Sequence, residues 1–211
     1  SRVMSFILVE KKMSISNRLT NHFALAAVAT AAVAATSNAA VIQSSIVNLV
    51  IPANLDGQYM NVESGAIGTS GSSTPGWDIN PYSSTSLSWY NAGGSGMMRY
   101  PGVTTGSAGS LAMGTVVSSA ASITGSGAVV FGAAAGNWTL NASNYFGFKF
   151  LAADGLTHYG YGRMDVGATN LIRTVHSIFY EGVAGAAITV PAPGALALLG
   201  LAGLATRRRR A

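Results

Sequence analysis

No cysteine occurs anywhere in the chain. Disulfides therefore cannot brace it, and thiol chemistry and Cys-type zinc sites are excluded. Charge is scarce too: Asp, Glu, Lys and Arg make up 9% of 211 residues. Between residues 40 and 190 only four bases occur, Arg99, Lys149, Arg163 and Arg173. Six acids lie in the same stretch, Asp56, Glu63, Asp78, Asp154, Asp165 and Glu181, giving it a net charge of −2. The formal +5 of the whole chain thus belongs to its two ends. A nucleic-acid-binding domain would show a basic patch or stripe, which this middle lacks.

Signs of catalysis are sparse as well. Only His158 and His176 lie beyond residue 40. No serine sits in a Gly-x-Ser-x-Gly elbow, and no glycine-rich stretch carries the Gly-Lys-Ser/Thr of a phosphate loop. Asp78 and Asn80 form an Asp-x-Asn pair, too short for an EF-hand loop. A loop calcium site would have to use Asp56 or Asp78. A secreted hydrolase would need Asp78, Asp165 and a histidine to meet in one cleft. The expectation is a non-enzymatic domain with no cofactor and no metal.

What the chain does have is two apolar segments near its ends. Starting at Met13, Arg18 supplies a basic flank, and Phe23 to Ala35 is uniformly apolar. Ser37-Asn38-Ala39 then offers the small residues that signal peptidase needs, with cleavage after Ala39. Residues 1–39 thus read as a signal peptide with a helical apolar core. From Met13 the leader is 27 residues long, within the usual range.

The other end has three parts. Pro191-Ala192-Pro193 breaks any preceding strand, because proline fixes φ and lacks a backbone donor. Gly194 to Ala205 has no polar side chain, and Arg207, Arg208, Arg209 and Arg210 follow. A spanning helix needs about 20 apolar residues, so this one is short, but terminal arginines can snorkel. The positive-inside bias holds such a cluster on the cytoplasmic side.

The middle, residues 40–190, holds 23 glycines and few Glu, Lys or Arg. That composition disfavours helices and suits short strands joined by turns. Val41 to Ile51 is a predicted first strand stopped by Pro52. Short strands follow over 58–62, 86–90, 97–100, 111–117, 128–131 and 137–140. Tyr145–Ala152 and Thr157–Val166 read as a hairpin around Asp154-Gly155, a strong two-residue turn signal. That turn pairs Phe150 with Tyr159, Phe148 with Tyr161 and Phe146 with Arg163, an aromatic ladder on one face. A third strand, Leu171 to Tyr180, would set His176 against Tyr161 and His158 against Phe179, leaving two rim histidines on opposite faces. Ala186 to Val190 is the last strand. The fold expected is all-β, a single antiparallel β-sandwich of jelly-roll-like form, flanked by the signal helix and a C-terminal hydrophobic helix.

The ladder has two readings. It is core facing a second sheet, or an exposed platform on which sugars stack. The candidates for glycan stacking are Trp77, Trp89, Tyr159 and Tyr161.

The tail from Pro191 resembles the PEP-CTERM sorting signal, the tag of substrates of exosortase-type membrane enzymes. Pro191-Ala192-Pro193, the Leu/Gly/Ala segment and Arg207 to Arg210 match part by part, with Ala192 where that family has Glu. The glycine-aromatic pattern of 147–161, with Tyr180-Glu181 and Ala187-Ile188, is similar to the last strands of β domains in such proteins. The resemblance implies an exported protein, handled by signal peptidase and an exosortase-like enzyme. It implies transient inner-membrane anchoring through the C-terminal helix, then a place on the cell-envelope surface or in an exopolysaccharide matrix. Residues 191–211 are then the sorting signal. The second functional expectation is an extracellular carbohydrate-binding module.

Overall fold

The computed structural model describes residues 40–104, 106–132 and 136–192. These residues form strands and turns and contain no helix. Both predicted flanking helices, Ala39, Pro193 and Arg207 to Arg210 lie outside the described residues. Pro191 and Ala192 lie inside them and follow the last strand, Pro191 half-buried and Ala192 exposed.

Thirteen strands are present among the described residues. Six make one antiparallel sheet: β1 (Val41–Val50), β12 (Arg173–Glu181), β11 (Thr157–Val166), β10 (Ala142–Leu151), β6 (Gly96–Met98) and β8 (Ile123–Thr124), in that spatial order. Five short strands make a second: β3 (Ile67–Gly68), β2 (Tyr59–Met60), β4 (Ile79–Tyr82), β5 (Ser88–Asn91) and β9 (Ser126–Ala128). A third pair joins β13 (Ile188–Thr189) to β7 (Val116–Val117).

The main core lies where the two larger sheets share side chains. Phe146, Phe148, Phe150, Met164, Val175 and Ile178 from the first sheet join Met60, Ile79 and Trp89 from the second. Trp89 lies 4.7 Å from Phe146, centroid to centroid. A smaller cluster covers the other face of the six-stranded sheet, where Tyr159 and Tyr161 pack with Val117, Ile188 and Val190. The central strands are therefore buried on both faces. This explains why β11, THYGYGRMDV, lacks the apolar–polar alternation of a half-buried strand.

The hairpin between β10 and β11 corrects the predicted register by one residue. Phe150 stands opposite His158, Phe148 opposite Gly160 and Phe146 opposite Gly162, while Tyr161 faces Gly147 and Tyr159 faces Lys149. The cause is the turn. The Ala152 N–H donates to Leu156 and the Gly155 N–H to Ala152, with Gly155 at φ 77°. Three residues, 153 to 155, make the loop, with glycine in the left-handed position that closes it. Side chains alternate along a strand, so a one-residue change moves every partner to the other face. The expected single aromatic ladder becomes two aromatic sets on opposite faces, phenylalanines inward and tyrosines outward.

The next register is corrected as well. Tyr161 pairs with Phe179, their rings stacked at 5.2 Å, and a bulge in β12 between Val175 and Ser177 accommodates His176. Neither predicted histidine pairing forms. The predicted strand over 137–140 reduces to a single bridge from Trp138 to Phe131.

Candidate functional site

Three of the four predicted stacking residues are core. Trp89 is 0% exposed, Tyr159 6% and Tyr161 7%, so none offers a ring face to a sugar. The fourth, Trp77, is half-buried. It packs against Tyr59 edge-on at 4.8 Å and lies 5.4 Å from Tyr90, tilted 33°. Tyr90 is 48% exposed. The three rings form an aromatic patch that joins β2, the segment before β4, and β5. Local structure sets it up. In β5 the side chains alternate, so buried Trp89 forces Tyr90 outward. Asn61 pins the approach to Trp77, its amide donating to the carbonyls of Pro75 and Gly76. Gly71 lets the chain pass against the indole, because a Cβ there would lie 2.6 Å from its Nε1. Sequence reasoning missed Tyr59 and Tyr90. The alternation of β5 would have signalled Tyr90 once Trp89 was assigned inward.

Beside the patch is a cleft of about 150 Å³. Asn61, Glu63, Gly76 and Asp78 line one side, and Phe150 to Ala153 of the β10–β11 turn line the other. Gly76 and Asp78 are the two chain neighbours of Trp77. Asp78 is 3% exposed. Its Oδ2 accepts from the Val62 N–H at 2.8 Å. Among the described residues no protein donor serves Oδ1. Burial pushes the Asp78 carboxyl up to about 7, against the lowering effect of the Val62 bond and with a further push from the charge of Glu63. Glu63 is exposed and accepts from Ala153 N–H at 2.8 Å, tying the second sheet to the turn.

His158 stands behind this region. It is buried rather than at the rim, because the corrected register turns it inward beside Phe150, centroids 5.7 Å apart. Its Nδ1 lies 2.7 Å from the Glu181 carbonyl, and Nε2 lies 3.1 Å from Asp154 Oδ2. Burial works to lower its pKa. The Glu181 bond, the bond and charge of Asp154, and the charge of Glu63 together outweigh that and raise it. The Leu156 N–H and His158 hold the Asp154 carboxyl below its usual range.

The remaining ionisable groups are used in the framework. Asp165 pairs with Arg163 at 3.5 Å and accepts from Ser143. It does not line the cleft of Asp78, and neither histidine does. The Asp78–Asp165–histidine grouping that a hydrolase would need is not formed. Among the described residues no group of three His, Asp or Glu side chains gathers to hold a metal. Asp56, the other calcium candidate, uses its carbonyl to receive Asn80.

No family model, no curated protein and no solved structure matches this chain.

Proposed function

We propose that the chain is an exported, non-enzymatic surface or matrix protein, its mature part a β-sandwich of jelly-roll-like form. An exosortase-like enzyme would process it at the Pro191-Ala192-Pro193 tail after transient anchoring in the inner membrane. One observation carries the reading. The sequence places an apolar run, Gly194 to Ala205, between Pro191-Ala192-Pro193 and Arg207 to Arg210, the three parts of the sorting tag that the tail resembles. Asp154, Asp165 and Arg173 hold turns and strands. The sandwich reading draws support from the core that the two larger sheets share. The test is mass spectrometry of the extracellular form. A C-terminus near Pro193 is expected, and an intact Arg207–Arg210 on that form rules processing out.

A second reading, an extracellular carbohydrate-binding module, is favoured by the Tyr59–Trp77–Tyr90 patch. Half-open aromatic faces on a rigid sheet suit the apolar face of a sugar ring. Immobilised glycans offered to the intact protein and to Trp77→Ala test it, and equal binding by both removes it.

A further inference from the structure

We propose that the Asp78–Glu63 cleft and the Trp77 ring form one recognition subsite for an amino sugar, a polysaccharide unit with an unacylated amine. The inference rests on the carbohydrate-binding reading and names the ligand class for that site.

The hydrogen-bond inventory of the cleft decides the class. Its one side-chain amide and the two backbone donors of the turn are engaged. The Asn61 amide donates to Pro75 and Gly76, the Ala153 N–H to Glu63, and the Ala152 N–H to Leu156. Its acceptors are not. Asp78 has one oxygen without a protein donor among the described residues, in a side chain nine-tenths buried and lining the cleft. Glu63 uses Oε2 on the turn, and Oε1 has no partner among the described residues. A group that brings hydrogens meets these free oxygens. No Lys or Arg lines the cleft, so a uronate or sulfate would meet carboxylates and no cation. An ammonium brings three donors and a positive charge to the same atoms.

The ring side agrees. Trp77 lies in sequence between two residues that line the cleft, Gly76 and Asp78. Tyr59 and Tyr90 pack against the indole and fix it, so little order is lost on binding. A cation near the indole face adds a cation–π attraction.

The experiment uses the intact chain and four immobilised hexamers: glucosamine, N-acetylglucosamine, glucose and galacturonate. Binding to the glucosamine hexamer is expected, with little to its acetylated counterpart or to galacturonate. Trp77→Ala should weaken it about tenfold. Glu63→Gln, at an exposed position that leaves the core untouched, should weaken it about fivefold. Asp165→Asn makes the same charge change away from the cleft and should leave binding intact. If Asp165→Asn weakens binding as much as Glu63→Gln, attraction of a polycation to an acidic protein explains it, and the subsite is overturned. Binding to the glucose or acetylated hexamer that Trp77→Ala abolishes and Glu63→Gln does not change overturns the amine but keeps the carbohydrate reading. Binding to none of the four removes both.

Discussion

The Arg173 guanidinium donates to the carbonyl of Ser83 at 2.7 Å, across 90 positions of sequence. The same group reaches the carbonyls of Ser86 at 2.7 Å and Pro52 at 2.8 Å. Arg173 is almost fully buried, and burial lowers its pKa. Pro52, the 83–86 loop and β12 are thus fastened by one cation, which pairs with no carboxylate among the described residues. Arg173→Met should destabilise the domain by about 3 kcal/mol or more, because buried carbonyls lose their donors. Arg173→Lys should recover little, since a point ammonium cannot reproduce the fork. Denaturant midpoints of the three proteins decide this, and a lysine variant as stable as the parent contradicts the clamp.

Asp78 makes stability depend on pH. Its carboxyl rises from 3.8 to about 7 on folding. A raised acid favours the folded state below about pH 4 and loses that contribution as pH climbs through its folded value. At about 1.4 kcal/mol per unit, the loss is on the order of 4 kcal/mol by pH 8. Asp78→Asn keeps an acceptor for Val62 and cannot ionise. It should raise Tm at pH 8 and change it little at pH 4. Parallel Tm profiles for the two proteins count against the buried acid.

The His158–Asp154 pair acts in the same direction. His158 has a raised pKa in the fold, so its contribution is complete below the ordinary histidine range and fades as pH rises through the folded value. Asp154→Asn removes the charge and should lower the His158 titration midpoint seen by NMR, while the Glu181 carbonyl still holds the other nitrogen. An unchanged midpoint shows that the carbonyl and burial alone set it.

Phe146 fills the space above Gly162. A Cβ at Gly162 would lie 2.2 Å from Phe146 Cζ, and the three closest atoms all belong to that ring. Gly162→Ala should therefore cost about 1–3 kcal/mol by overpacking. Combined with Phe146→Leu, the loss should be smaller than the sum of the two single losses, because the shorter side chain makes room. Strict additivity in a double-mutant cycle contradicts this fit.

Much of the strand pattern was readable from residue order. The bounds of β11, Thr157–Val166, match the predicted strand, and Pro52 and Pro191 lie just past the strands they were expected to end. The hairpin was predicted, but not its register. Asp154-Gly155 suits both a two-residue and a three-residue loop, and the choice depends on whether Ala153 joins the turn. That one residue decided which face each aromatic of the hairpin takes, while Trp89, in β5, is buried independently of it. The bulge at His176 leaves no mark in the local sequence, because it answers to packing against β11. Asp78 was legible as half of an Asp-x-Asn pair, not as a cleft residue. The residues that line the cleft with it, 150–153, come more than seventy positions later.

The glycines of β11 have one more consequence. Phe146 and Phe148 occupy the space that Gly162 and Gly160 leave empty. A slip of two residues would keep every face correct, so alternation alone could not detect it. A slip one way, however, would set Phe146 against Met164, and a slip the other way would set Phe148 against His158 and leave Gly162 opposite Asn144. The β10–β11 hairpin thus carries its own register check, because a misaligned pairing fails on volume.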